Sequence, residues 1–433
     1  MKKINNFLEK NIEKILIIFL YLQPFLDIIT AISIKKFDIN LTIGSIVRLL
    51  FLVFCFVYLV FINKEHKKKN IFFLIIIGSY FIIYTGINFY YKDLTSTIYE
   101  VKNLLNTFYL PVVLITFIEI FKQYKIKFNL KHLVIIFSIY IFSIIIADIT
   151  NTSFLSYSHS KLGSIGWFLS ANAIGNILSF LLPIIIYYLI YKKNKLFGSL
   201  LILSTLYVFA TMGTKVPILS LGIILATNFL YYFIKSIKEK KYKNISLIIS
   251  LFLIIIVSTI LILPKTSFYK NIKIHMSYYK INNILEIFTD YDNINNLIFS
   301  ERLTFLKNTN NSYKNAPLPA KVFGIGYIEN FNTAKESTKT IEIDYFEVFY
   351  RHGIVGFIIY FSVFIKFLYI VIKKALTKFS LINTEYLTSI ILILLLSLFS
   401  GHILVTPAVS IFIAILFCII IYEFKDDKRK IAK

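Results

Sequence analysis

"EIDYFEVFYRHGIVGFIIYFSVFIKFLYI", residues 342–370, is the stretch whose reading decides the fold. From about residue 346 to 371 it is an apolar run of the length that crosses a bilayer as a helix. Its mouth carries Glu342, Asp344, Glu347, Arg351 and His352. In a helix, Asp344, Glu347 and Arg351 fall at i, i+3 and i+7, along one face, and Glu347 and Arg351 are an i, i+4 pair. Glu342 stands just above the helix start, where an acid suits the positive end of the dipole. An interfacial salt-bridge cap is the plain explanation. Against it stand the number of charges and their position directly after the one long loop, because ionisable groups near lipid are expensive and mark function.

Similar runs recur along the whole chain. Of its 433 residues, 57% are hydrophobic, and mean hydropathy is +0.73. Lipid cannot satisfy loose backbone groups, so the spans must be helices or a closed barrel. Strand alternation is absent, so the expected fold is an all-α polytopic membrane protein. About twelve transmembrane helices are expected, at roughly 14–34, 42–62, 71–90, 98–121, 132–149, 169–191, 197–212, 215–234, 245–264, 346–371, 385–401 and 406–423. The first run is too long for a cleaved signal peptide and lacks a small-residue cleavage site, so it reads as a retained helix. No internal repeat is evident.

The formal charge of +24 does not point to nucleic acid, because the lysines sit in short loops between spans. Alternate loops read "KEHKKKN" (64–70), "KQYKIKFNLK" (122–131), "YKKNK" (191–195), "KSIKEKKYKN" (235–244) and "KKALTK" (373–378), and the tail is "KDDKRKIAK". The loops between them hold few bases: Lys35, Lys36, Lys92, Lys161 and Lys215. This asymmetry places both termini in the cytoplasm. Cys55 and Cys418 lie inside apolar runs and suggest neither a disulfide nor a zinc site.

Residues 265–344 form a long connection on the outer side, between spans nine and ten. Loops of that size are functional as a rule. Helical patches at 281–291 and 300–308 suggest a small cap rather than a separate domain, dividing the chain into helices one to nine (1–264), the loop (265–344), and helices ten to twelve with a basic tail (345–433). The second patch carries Arg302, which a plainer reading leaves solvated. "VFGIGY" follows, where Gly324 and Gly326 permit a tight turn or a close backbone approach to a ligand. Another glycine-rich outer segment, 163–176, holds Asn172 and Trp167, the latter a candidate interfacial anchor.

The remaining charges favour the outer half. Asp27 and Arg48 lie about 10 Å inside the outer ends of spans one and two and suggest an ion pair, which need do no more than fix helix register. Glu100, Lys102, Asp148, Lys215 and His402 lie at outer helix ends. Such a distribution suits a cavity open to the outside. A path through the bilayer would need polar groups at the midplane and beyond.

In this arrangement the chain resembles the bacterial O-antigen polymerase and O-antigen ligase superfamily. "GWFLSANAIGNILSFLLPII" (166–185) resembles the family's glycine-to-asparagine entry to a central span. "ATMGTKVPILSLGI" (210–223) resembles its short turn and helix, with Thr214-Lys215 where Ser-Arg is usual. "FSERLTFLKN" and "VFGIGY" resemble its Ser-x-Arg segment and Gly-x-Gly, and "EIDYFEVFYRHGIVGF" its closing element. Ligases carry a His-Asn pattern near the start of that element; here Glu342 and Asp344 stand there, which is more similar to the polymerases of capsule and cell-surface polysaccharide. Lys215 keeps the charge of the usual arginine but loses its bidentate fork.

The resemblance implies a glycosyltransferase of the bacterial cytoplasmic membrane, active on its outer face; the sequence shows no clear His/Cys/carboxylate metal cluster, so a metal-independent enzyme without a cofactor is expected. Its substrates would be undecaprenyl-pyrophosphate-linked oligosaccharides, its surroundings the lipid bilayer, and its pathway partners a chain-length regulator and a flippase. Glu342 or Asp344 would take the hydroxyl proton. Arg302 would act with them as a catalytic residue. Arg302 itself, Lys215, Arg351 and, more deeply placed, Arg48 would stabilise the leaving pyrophosphate, with His352, Gly324, Gly326 and Asn172 completing the substrate site. A ligase using another acceptor, and a lipid-linked oligosaccharide flippase doing no bond chemistry, remain as alternatives.

Overall fold

The computed structural model describes residues 2–39, 42–157, 162–192, 195–328 and 340–422. Lys161, part of the 191–195 loop, residues 329–339 and the basic tail lie outside these. The expected long runs all appear as helices: α1 (Lys2–Phe37), α2 (Ile43–Val57, continued by a π-helical turn Tyr58–Ile62), α3 (Lys67–Tyr91), α4 (Leu94–Tyr124), α5 (Leu130–Ile149), α6 (Ala171–Lys192), α7 (Lys195–Thr211), α8 (Lys215–Lys238) and α9 (Tyr242–Ile262). After the long loop come α14 (Asp344–Ala375), α15 (Leu381–Phe399) and α16 (Pro407–Tyr422). Local sequence sets several starts. Asp93 accepts the Ser96 N–H at 2.6 Å, and Thr42 and Asn129 cap α2 and α5 in the same way, satisfying amides that have no partner within the helix.

Among the described residues ten helices are long and apolar enough to cross a membrane. The seventh and twelfth expected spans, α7 and α16, are shorter. α16 is buried along Val409–Ile420, packed against α4, α6 and α14. Contrast α9, which has no buried residue. Its side chains are apolar all round, the composition of a helix that faces lipid.

The loop between α9 and α14 folds into α10 (Ser267–Tyr278), α11 (Tyr291–Leu297), α12 (Arg302–Asn315) and α13 (Leu318–Phe323). Of the two helical patches expected there, 300–308 lies within α12 but for its first two residues, whereas 281–291 yields a 3₁₀ turn at Ile284–Phe288 and only the first residue of α11. Met276, Ile281, Ile287 and Leu297 give this cap a small core of its own.

Two features fix the mouth of α14. The helix breaks at Gly353, whose φ is 66° and ψ −176°. The break frees carbonyls, and the α13 exit takes them: Ile325 N–H donates to Tyr350 O at 3.2 Å and Gly326 N–H to Arg351 O at 3.1 Å. Gly324 and Gly353 meet so closely that a Cβ on either would stand within 2.5 Å of the other segment's backbone. The close backbone approach expected of the Gly-x-Gly is thus made to α14 itself. Deeper in the bundle, Arg48 and Asp27 do pair, at 2.5 Å, with Gln23 and the Tyr140 hydroxyl completing the set.

Candidate active site

Two cavities open beside each other under the cap. One, about 490 Å³, lies between α8, α10, α11 and α15 and is walled mainly by apolar side chains such as Leu219, Phe268, Ile272, Phe288 and Leu396. The other, about 480 Å³, is polar and holds Asn172, Lys215, His275, Arg302 and Glu342. Tyr157, Lys215, Val216, His275, Ser300 and Phe399 line both. The two are therefore neighbours, an apolar arm and a polar arm with Lys215 in the wall of both.

The centre of the polar arm is an Arg302–Glu342 ion pair. Arg302 Nη2 donates to Glu342 Oε2 at 2.7 Å and Nε to the same oxygen at 3.2 Å. Nη1 is held by Phe399 O at 2.8 Å. The arginine is buried, whereas the Glu342 side chain keeps 24% exposure. His402 Nε2 lies 3.7 Å from the other oxygen, Oε1. Burial pushes the Glu342 carboxyl up, but His402 and Arg302 outweigh it and hold it down at about 2. The imidazole responds in the opposite sense: burial lowers it, and the neighbouring Glu342 raises it further, for a net rise.

Backbone strain gathers at this point. Ser300, Glu301, Glu342 and His402 all have left-handed φ, between 52° and 66°, a region that costs a non-glycine residue free energy and is held only where surroundings over-determine it. The consecutive turn at Ser300–Glu301 places Arg302 at the start of α12. The segment 400–404 is held down by Asp344, whose carboxylate accepts the N–H groups of His402, Ile403 and Leu404 at 2.8–2.9 Å.

The structure thus separates the residues singled out in the sequence. Glu342, Arg302, Lys215 and Asn172 share the polar cavity. Asp344, the alternative proton acceptor, is fully engaged by three backbone amides. Arg351 and His352 are wholly buried and line neither cavity. Arg351 bonds Glu347 at 3.3 Å and Gly326 O at 3.1 Å, with its guanidinium over the Tyr327 ring; His352 sits among the rings of Tyr84, Phe108 and Tyr327. Gly324 and Gly326 belong to the same splice, and Arg48 to its pair with Asp27. Arg351 is thus held by the scaffold, while Asp344 and Glu347 on the same helix face line a smaller cavity together with Glu342 and His402. Lys215 also has internal partners, donating to Leu297 O, to Ile298 O at 3.3 Å and to Ser300 Oγ at 2.9 Å.

Sequence reasoning missed His275, Tyr157 and the role of His402. His275 and Tyr157 sit in segments with no spacing signal. For His402 the sequence shows only a charge at an outer helix end; the close approach of its neighbour Gly401, whose Cβ would stand 2.5 Å from Glu342 O, is visible in the fold alone. Among the described residues no group of three or more His, Cys, Asp or Glu could hold a metal ion.

The family model described as O-antigen ligase like membrane protein matches residues 9–286 and 286–427. No curated protein matches the chain. With nearly its whole length accounted for, from α1 through the cap to α16, the chain belongs to the O-antigen ligase like membrane protein family, and so to the membrane enzymes that handle glycans by glycosyl transfer.

Proposed function

We propose that the chain polymerises undecaprenyl-pyrophosphate-linked repeat units of a cell-surface polysaccharide at the outer face of the bacterial cytoplasmic membrane. The observation that carries this reading is the junction of the two cavities. A polyprenyl-pyrophosphate glycan is apolar at one end, anionic in the middle and hydroxylated at the other. The apolar arm suits the prenyl chain, Lys215 and Arg302 suit the pyrophosphate, and the polar arm suits the sugars.

Chemically, a hydroxyl of the acceptor unit attacks the anomeric carbon of the donor. The bond from that carbon to the pyrophosphate oxygen breaks, and the pyrophosphate leaves with the electron pair. Glu342 accepts the hydroxyl proton. A carboxylate held at about 2 is ionised but a weak base, and general bases work best near the operating pH. Drawing Arg302 onto a pyrophosphate weakens its hold on Glu342 and raises that basicity as the donor binds. Acids at 342 and 344, where the ligases resembled carry His-Asn, favour a repeat-unit acceptor.

Cells carrying Arg302→Ala or Arg302→Lys at matched membrane abundance test this. Both should lose long polymer on a gel ladder and accumulate single lipid-linked repeat units, with lysine restoring little because the fork is lost. Polymer of normal length in both variants sinks the reading. Glycan appearing on a different acceptor in the wild type points to a ligase, and transbilayer movement without a new glycosidic bond to a transporter.

A further inference from the structure

Glu342 is the wall between two chambers. On the side away from Arg302 lies a third cavity, about 160 Å³, lined by Asn103, Asn106, Thr107, Thr406, His402 and Glu342. Arg302 is absent from its lining and His402 from that of the larger polar cavity. The carboxylate divides accordingly: Oε2 is bound by Arg302, and Oε1 faces His402. Asn103, Asn106 and Thr107 stand at i, i+3 and i+4 on α4, so one helix face lines the chamber with two amides and a hydroxyl, the latter 3.0 Å from the Tyr327 hydroxyl. Both asparagines are half-buried, and the Asn103 amide donates to Tyr99 O at 3.1 Å, which leaves its carbonyl oxygen to accept.

We propose that this chamber is the acceptor subsite. Building on the polymerase reading above, it receives the terminal sugar whose hydroxyl attacks, while the donor occupies the cavities on the Arg302 side. A displacement at carbon needs nucleophile and leaving group on opposite faces of that carbon, and the two oxygens of Glu342 look toward opposite chambers. Oε1 takes the proton of a hydroxyl in the small chamber. The bond from the anomeric carbon to the pyrophosphate oxygen breaks on the far side, beside Arg302 and Lys215. The chamber also selects. Its neutral amides and hydroxyls exchange hydrogen bonds with sugar hydroxyls or an acetamido group, whereas the one cation in its wall among the described residues, His402, already faces Glu342 Oε1, which leaves no counter-charge for an acidic sugar. The acceptor terminus is therefore a neutral sugar.

The test uses the purified full chain in lipid discs, lipid-linked repeat unit extracted from the same cells as donor, and the free repeat-unit oligosaccharide as a titratable acceptor. Losing two neutral hydrogen bonds in Asn103→Ala/Asn106→Ala should raise the half-saturating acceptor concentration by roughly tenfold or more and leave that of the donor unchanged. Asn106→Phe, which fills the chamber, should abolish transfer to the oligosaccharide while the slow release of undecaprenyl pyrophosphate to water continues. An unchanged acceptor requirement in the double variant, or a shift in donor saturation instead, overturns the assignment. Absence of any transfer by the wild-type chain overturns the polymerase reading and this inference with it.

Discussion

Two buried ion pairs meet the same loop from different sides, and they are built for opposite purposes. Lys92 and Glu100 are wholly buried and 2.8 Å apart. Glu100 is saturated: it also accepts the Tyr84 hydroxyl and the N–H groups of Tyr327 and Ile328, while Lys92 donates to Ile325 O at 2.8 Å. Arg302 and Glu342 bring the same charges together with strained backbone, a partly open carboxylate and cavities on both sides. Charge near lipid is thus a poor guide by itself. Whether its hydrogen-bonding capacity is already spent on the fold, and whether a substrate can reach it, separates a clamp from a catalyst.

The contrast breaks if the two acids respond alike to substitution. Glu342→Gln should cost about 10²–10⁴-fold in polymer formation, the range of a general base, while the protein stays folded in the membrane and its melting temperature falls only by what the partly open Arg302–Glu342 pair contributes. Glu100→Ala should do the reverse. It leaves Lys92 buried beside a carbonyl without its counter-charge, at a cost of about 3–5 kcal/mol, and should show as loss of folded protein in detergent. Lys92→Met together with Glu100→Met should recover much of that loss. If Glu100→Ala protein is stable and only inactive, the clamp belongs to the chemistry after all.

Smaller effects sharpen the picture on the Glu342 side. Gly401 has φ 63° and its Cβ would stand 2.5 Å from Glu342 O. Gly401→Ala should therefore cost roughly 1–3 kcal/mol of stability and reduce activity as well, because relief of the clash moves Glu342. Thermal melts and ladders on one preparation check both. Intact activity in a destabilised Gly401→Ala protein would show that the placement of Glu342 tolerates such a shift.

The helices were legible because bilayer length and lysine asymmetry act on whole segments. Even the Asp27–Arg48 pair could be read from matching depths. The mouth of α14 was legible only in part. Helical periodicity put Asp344, Glu347 and Arg351 on one face, correctly, but no periodicity says whether a face looks into a cavity or into protein. That depended on the Gly353 break and its splice with Gly324, contacts between residues about thirty apart in sequence. Arg302 and Glu342 could both be nominated, yet their meeting rests on left-handed turns at Ser300, Glu301 and Glu342, where no glycine announces the conformation. His402 stayed outside the nominated site for a related reason: its position is set by Asp344 binding three consecutive amides, a long-range contact with no local pattern.

The smallest effect concerns pH, and its sign distinguishes the working pair from a passive one. Glu342 lies below its ordinary 4.5, at about 2. Its contribution to stability is complete above pH 4.5 and disappears as pH falls through about 2. His402 lies above its ordinary 6.5. Its contribution is complete below pH 6.5 and disappears as pH rises through the raised value. Between roughly 4.5 and 6.5 both are present, so melting temperature, as far as this pair governs it, should be flat there and decline on either side. His402→Gln should remove the decline above pH 6.5. Glu342→Gln should flatten the acid flank and shrink the alkaline one, because the imidazole then loses the carboxylate that raises it most, Asp344 and Glu347 remaining. Melting curves of the solubilised protein from pH 4 to 9 decide the alkaline side. A decline above pH 6.5 that survives unchanged in both variants would mean that His402 and Glu342 do not sense each other, and that Oε1 faces the small chamber without a charged neighbour.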